Sequence, residues 1–136
     1  MTEDELRPLI ALVAVRLSLA EAALATAHAA AKALKTEIRE LRPATAEPGD
    51  LAGALMAERH GQWLTARRRE LTARLAMAEA EADRCRSVLA HVSARKEALD
   101  ALSREAADHA ARAARRRQQT AMQLLETLRP PAERYR

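Results

Sequence analysis

Along the first third of the chain, apolar residues recur at alternating spacings of four and three: Leu6, Ile10, Val13, Leu17, Ala20, Leu24, Ala27, Ala31, Leu34, Ile38 and Leu41. A repeat of about 3.5 residues keeps one stripe facing a neighbouring helix, so the series predicts a left-handed coiled coil. A second series keeps the same spacing: Leu64, Arg68, Leu71, Leu75, Ala78, Ala82, Cys85, Leu89, Val92, Lys96 and Leu99. Only Arg68 and Lys96 depart from apolar character, and both can lay their stems along a seam while their charges reach water. Folded back on itself, the chain sets Leu41 against Leu64, Ile38 against Arg68, Leu34 against Leu71, Ala31 against Leu75, Ala27 against Ala78, Leu17 against Leu89, Val13 against Val92 and Leu6 against Leu99. The expected core is thus Leu6, Ile10, Val13, Leu17, Leu24, Leu34, Ile38 and Leu41 against Leu64, Leu71, Leu75, Leu89, Val92 and Leu99.

The punctuation of the chain agrees with this folding. Thr2-x-x-Glu5 has the form of a capping box, and Pro8 lies early enough to be tolerated, so the first helix is expected over about residues 3–42. Pro43 and Pro48-Gly49 end it. Asp50 is a good N-cap for a short helix from Leu51 to about His60, which Gly61 ends or kinks. The hinge and this short helix occupy residues 43–62. A second long helix is expected over about 63–128, without Gly or Pro, and a tail over 129–136 begins at Arg129-Pro130-Pro131.

The resulting fold class is all-α: one elongated domain, residues 1–136, built as an antiparallel two-helix coiled-coil hairpin. It has a short helical elbow and a C-terminal helix longer than the N-terminal one. The excess on the second helix is nearly thirty residues, roughly 40 Å at the α-helical rise. Ala106, Ala107, Ala110, Ala111, Ala113 and Ala114 make this overhang thin and helix-prone, and a lone helix in water stays marginal. It reads as a segment that docks on a partner.

Composition narrows the alternatives. An aromatic content of 1% with no Phe leaves little material for a globular core. The single Cys85 cannot close an intramolecular disulfide, so a reducing cytoplasm is the expected setting. The apolar run from Leu9 to Val15 comes after Glu3-Asp4-Glu5 instead of a basic leader and stops at Arg16. No segment is read as approaching the ~20 apolar residues of a membrane span, and a soluble protein without membrane insertion is expected.

The formal net charge of +4 is unevenly spread. Residues 1–50 carry six basic and eight acidic side chains, a balance of −2, whereas the remainder carries 17 basic and 11 acidic, a balance of +6. The densest positive runs are Arg112 with Arg115, Arg116 and Arg117, and Arg67 with Arg68 and Arg69.

Candidate chemistry is sparse. His28, His60, His91 and His109 form no ligand spacing, and one Cys supplies no thiolate cluster, so no metal and no cofactor is assigned. A Gly-rich phosphate loop is missing, and a two-helix rod offers no pocket for a catalytic triad, so the chain is not expected to be an enzyme. The arginine run is either a solvated face near a helix C-terminus or a surface for an acidic partner. The lack of interleaved aromatics and of a helix-turn-helix argues against nucleic acid. Trp63, the only Trp, is either a plug that closes the hairpin or an anchor for another protein.

The layout of helix, Pro-Gly hinge, short helix, Trp and long basic helix resembles the FliJ/YscO family, the central stalk proteins of flagellar and type III secretion export ATPases. The most family-like stretch is Val92, Arg95, Lys96, Leu99, Leu102 and Arg104. The resemblance implies a cytoplasmic protein, peripheral to the inner-membrane export apparatus, whose open end enters a hexameric export ATPase. The opposite end would then face the export gate protein, with export chaperones as further partners. By helix position, the ring contacts would fall to Arg7, Arg104, Arg112, Arg115, Arg116, Arg117, Leu124, Leu125 and Leu128, and the tip contacts to Arg39, Arg42, Trp63 and Arg67. Two other readings stay open: a self-associating scaffold that buries Ala106, Ala110, Ala113, Leu124 and Leu128 in a homodimer, and a basic nucleic-acid-associated protein.

Overall fold

The computed structural model describes residues 1–43 and 49–131. The expected hinge residue Pro48 and the tail over 132–136 lie outside the described residues. Two helices in mutual contact make up nearly all of the rest: α1, Glu3–Glu40, and α2, Leu51–Thr127. Among the described residues there is no strand.

The helix ends arise from side-chain chemistry. At the start of α1 the backbone N–H of Thr2 donates to Glu5 Oε2 at 3.0 Å, and the N–H of Glu5 donates to Thr2 Oγ1 at 3.4 Å. That is the reciprocal capping box expected from Thr2-x-x-Glu5. Pro8 sits within α1 without breaking it, although the helical ladder already begins with the Leu6 N–H donating to Thr2 O at 3.2 Å and the proline offers no N–H to the Asp4 carbonyl. At the start of α2, Asp50 Oδ1 accepts from the N–H of Gly53 at 2.7 Å, the geometry of an N-cap. Gly53 is suited to this place, since a Cβ there would lie 2.8 Å from that same oxygen.

One expectation is corrected. The separate short helix ending at Gly61 does not form; residues 51–62 are the first turns of α2. A mid-helix Gly costs only about 1 kcal/mol relative to Ala, and the Ala-, Glu- and Arg-rich flanks outweigh it when no Pro is nearby. Gly53, Ala57, His60 and Gly61 are half-buried, so the partly covered stripe of α2 starts a dozen residues before Leu64. A Cβ built on Gly61 meets nothing within 4 Å, and no glycine has a positive φ. Gly61→Ala should therefore stabilise the fold by about 0.5–1 kcal/mol, read as a higher urea midpoint. A lower midpoint would show that Gly61 is needed for a bend.

The chain forms two compact units. In the unit of Met1–Val15 and Ala94–Arg136, Leu6 is 1% exposed and Val13 is buried. Ile10, Lys96, Leu99, Ser103 and Ala106 are half-buried. In the unit Arg16–Ser93, Leu71 is fully enclosed at 0% exposure, and Ala20, Ala27, Ala31 and Ala82 are buried. Leu17, Leu24, Leu34, Ile38, Leu41, Leu64, Leu75, Ala78, Cys85, Leu89 and Val92 are half-buried around them. In α1 the covered positions lie on the four-and-three series, with Glu37 as the one addition. On α2 the series is likewise covered, except at Arg68, which is exposed and reaches Leu41 O with Nη2 at 3.5 Å.

A second correction concerns α1. It is long and apolar enough, by length and composition, to cross a membrane, and only a small share of its most apolar stretch is buried. Arg16 and Glu21 are the only charges between Pro8 and Ala31. Reading contiguous large residues understated this, because much of the stretch is Ala. The covered stripe of α1 nevertheless faces α2, whose other positions carry Arg, Asp and Glu throughout, a poor surface for hydrocarbon.

Candidate functional site

Charged side chains brace the two helices in the unit Arg16–Ser93. Arg67 reaches across to Glu37, Nη2 to Oε1 at 2.7 Å, and also holds Glu70 Oε2 through Nη1 at 3.1 Å. The hydrogen bond to Glu37, then that to Glu70, raises the affinity of this guanidinium for its proton above the ordinary value. The group titrates far above neutrality, so the brace keeps its charge at every physiological pH. Lys35 and Glu79 approach to 3.5 Å, but both are half in water and contribute little. Arg67, one of the expected tip contacts, is engaged within the chain by Glu37 and Glu70 and keeps 30% of its side chain exposed. Arg39 and Arg42 are exposed, with no ion-pair partner among the described residues.

Trp63 is 55% exposed and stacks on His60, ring centroids 5.8 Å apart and planes 20° from parallel. It is no buried plug. Leu51, Leu55 and Met56 are exposed on the same first turns of α2. Sequence reading missed these three, because a separate elbow helix hid their place on α2. A surface groove of about 820 Å³ runs past Pro43, Gly61, Leu64, Arg68, Ala73 and Ala76, with no cluster of acid, base and nucleophile in it. Among the described residues there is no group of three His, Cys, Asp or Glu placed to hold a metal ion.

The most distinctive surface is the end of α2 in the unit of Met1–Val15 and Ala94–Arg136. After Ala113, every described residue through Pro131 is exposed. Leu124 is 59%, Leu125 67% and Leu128 79% exposed, and Met122 is similarly bare. Arg104, Arg112, Arg115, Arg116 and Arg117 are exposed as well, and among the described residues no carboxylate pairs with any of them. Arg7, expected with them, is tied weakly to Asp4 at 3.8 Å. Among the described residues this segment has neither apolar cover nor an ion pair at its arginines, so tertiary packing adds little to its helicity. Its side chains are presented to whatever lies outside.

A further bare apolar strip lies along the start of α1. Leu9, Leu12 and Val15 are each about half exposed or more. The signal for it was present in the near absence of charge between Pro8 and Ala31.

No family model, no curated protein and no solved structure matches this chain.

Proposed function

We propose that this protein is a cytoplasmic stalk and adaptor of a bacterial flagellar or type III protein export apparatus. In this reading it is an antiparallel two-helix coiled coil whose overhanging end of α2 enters a hexameric export ATPase. The observation that carries the reading is the bare, arginine-bearing end of α2, beyond a stripe that is covered along the rest of the helix. An element held inside a ring has to be narrow and touched from several sides. Small Ala residues keep this segment thin, and its Arg and Leu side chains are distributed around it. The antiparallel arrangement is supported by Leu6 sharing a cleft with Leu102, by Ala20 sharing one with Cys85, and by the Glu37–Arg67 pair. The export gate and chaperones would meet the surface around Arg39, Arg42 and Trp63.

A homomeric scaffold is disfavoured by charge. Between Asp108 and Glu126 the chain holds Arg112, Arg115, Arg116 and Arg117 and no acid. Two copies paired along this segment, parallel or antiparallel about its centre, set arginine against arginine.

The test is co-purification of the full chain with the export ATPase encoded in the same genome, with complex mass measured by light scattering. A single chain bound to a hexameric ring is the expected product. A ring that elutes free of the chain at micromolar concentrations, with the chain itself dimeric, would sink the stalk reading and leave the scaffold.

A further inference from the structure

The covered stripe of α1 starts at Leu6, but the stripe on α2 that faces it does not stop there. From Leu99 the same spacing runs on through Ser103, Ala106, Ala110, Ala113, Arg117, Thr120, Leu124 and Thr127, with Leu128 one place beyond it. Ala106 and Ala113 are half-buried, while Ala110 and everything after Ala113 through Pro131 are exposed. The interface that α1 occupies in this unit therefore continues as bare helix. Where it changes hands, a cleft of about 220 Å³ opens between Met1, Leu6, Leu102, Glu105, Ala106 and His109, and its acid, Glu105, lies before the arginine run that begins at Arg112. A helix laid on the continuing stripe would begin at that cleft.

Charge decides what kind of helix fits. At about 100° per residue, Arg112 and Arg116 lie on one flank of the stripe and Arg115 on its far side, while Arg117 stands on it. A long cation in the middle of an apolar seam is favourable only where the facing helix supplies a carboxylate, and the flanking arginines ask for the same. The chain has no acid of its own between Asp108 and Glu126 to offer. The Ala residues let a second backbone come close, and Leu124 and Leu128 add apolar contact at the far end.

We propose that this stripe is the docking site for an acidic amphipathic α-helix of another protein, which continues the place of α1 and sets a carboxylate against Arg117. The proposal rests on the reading of the overhang as the partner-binding end, and it names how that end recognises its partner.

The probe is a labelled synthetic helix of about three heptads. It carries Leu and Ala at seam positions, Glu at the seam position facing Arg117, and Glu on the flank that meets Arg112 and Arg116. One control replaces those Glu by Lys; another keeps them and replaces the apolar seam by Ser. Fluorescence anisotropy with the full chain should show saturable binding of the Glu peptide, and binding weaker by roughly tenfold or more for each control. Arg117→Glu should weaken the Glu peptide by a similar factor and strengthen the Lys peptide, with unchanged helicity of the free chain. Absence of saturable binding would overturn the proposal. So would equal binding of the Ser control, or competition by duplex DNA or phosphatidylglycerol vesicles that Arg117→Glu leaves unaltered. Capture of the export ATPase by the full chain and by its Arg115→Glu/Arg116→Glu/Arg117→Glu variant separates the two levels. Capture lost in the variant, with no peptide binding, overturns the helix proposal and leaves the overhang as the binding end. Capture retained in the variant overturns both.

Discussion

Shortening the chain after His109 is expected to abolish capture of its partner while leaving the two paired helices folded. The cut keeps every residue that lines the cleft beside Leu6, including Leu102, Ala106 and His109. It removes Arg112, Arg115, Arg116 and Arg117 and the exposed Leu124, Leu125 and Leu128. None of these makes an ion pair among the described residues, so the fold loses almost nothing with them. Far-UV circular dichroism should fall only by the share of helical residues removed, and the urea midpoint of the remainder should stay within the scatter of surface changes, about 0.5 kcal/mol. A collapse of helicity well beyond that share would mean that the overhang supports the hairpin. Retained capture would move the binding surface elsewhere.

Leu71→Ala is expected to cost the fold about 2–5 kcal/mol, the range for emptying an enclosed leucine site. Leu71 is the most completely enclosed side chain of its unit, at 0% exposure. Total stabilities of single domains run from about 5 to 15 kcal/mol, and a pair of helices rich in Ala belongs near the bottom of that span. The variant should therefore be largely unfolded at warm laboratory temperatures. Leu124→Ala, the same chemical change on the exposed overhang, should alter stability by less than about 0.5 kcal/mol. The contrast is read from paired urea titrations. Equal effects would contradict the assignment of Leu71 to the covered stripe and Leu124 to the bare one.

Much of this architecture was legible in the sequence because its physics is local and periodic. The four-and-three spacing from Leu6 to Leu41 marks the positions that are covered on α1, and the capping box at Thr2 and the cap at Asp50 mark the two helix starts. Gly61 misled, since a glycine ends a helix or sits inside one according to the residues on its C-terminal side, and here those are helix formers. For Trp63 the sequence left a plug and an anchor open; the side chain stacks on His60 with more than half of it in water, which removes the plug. The low charge of residues 8–31 was in plain view, yet its meaning depended on knowing that only one stripe of α1 is covered.

The arginine run shows the limit of composition as a guide. Sequence alone offers a solvated face and a binding surface as equals. In the structure Arg115, Arg116 and Arg117 make no ion pair among the described residues, a state they share with Arg69, Arg74 and Arg95 on the same helix, whereas Arg67, Arg84 and Arg86 each have a carboxylate partner. What sets the run apart is that the sequence from 109 to 125 holds no acid at all. Repelling cations that share one helix are tolerated at modest cost in water. They become favourable when an acidic surface meets them.

The measurement that tests the central claim most directly is amide hydrogen exchange of the free full-length chain, read by mass spectrometry over a range of protein concentrations. Slow exchange across the covered stripes around Leu6, Leu71 and Ala82 is expected, with fast exchange from Ala114 to Thr127 that does not change with concentration. Protection of that terminal stretch in the free chain, growing as the protein is concentrated, would contradict the account by showing that the overhang is already covered by a second copy.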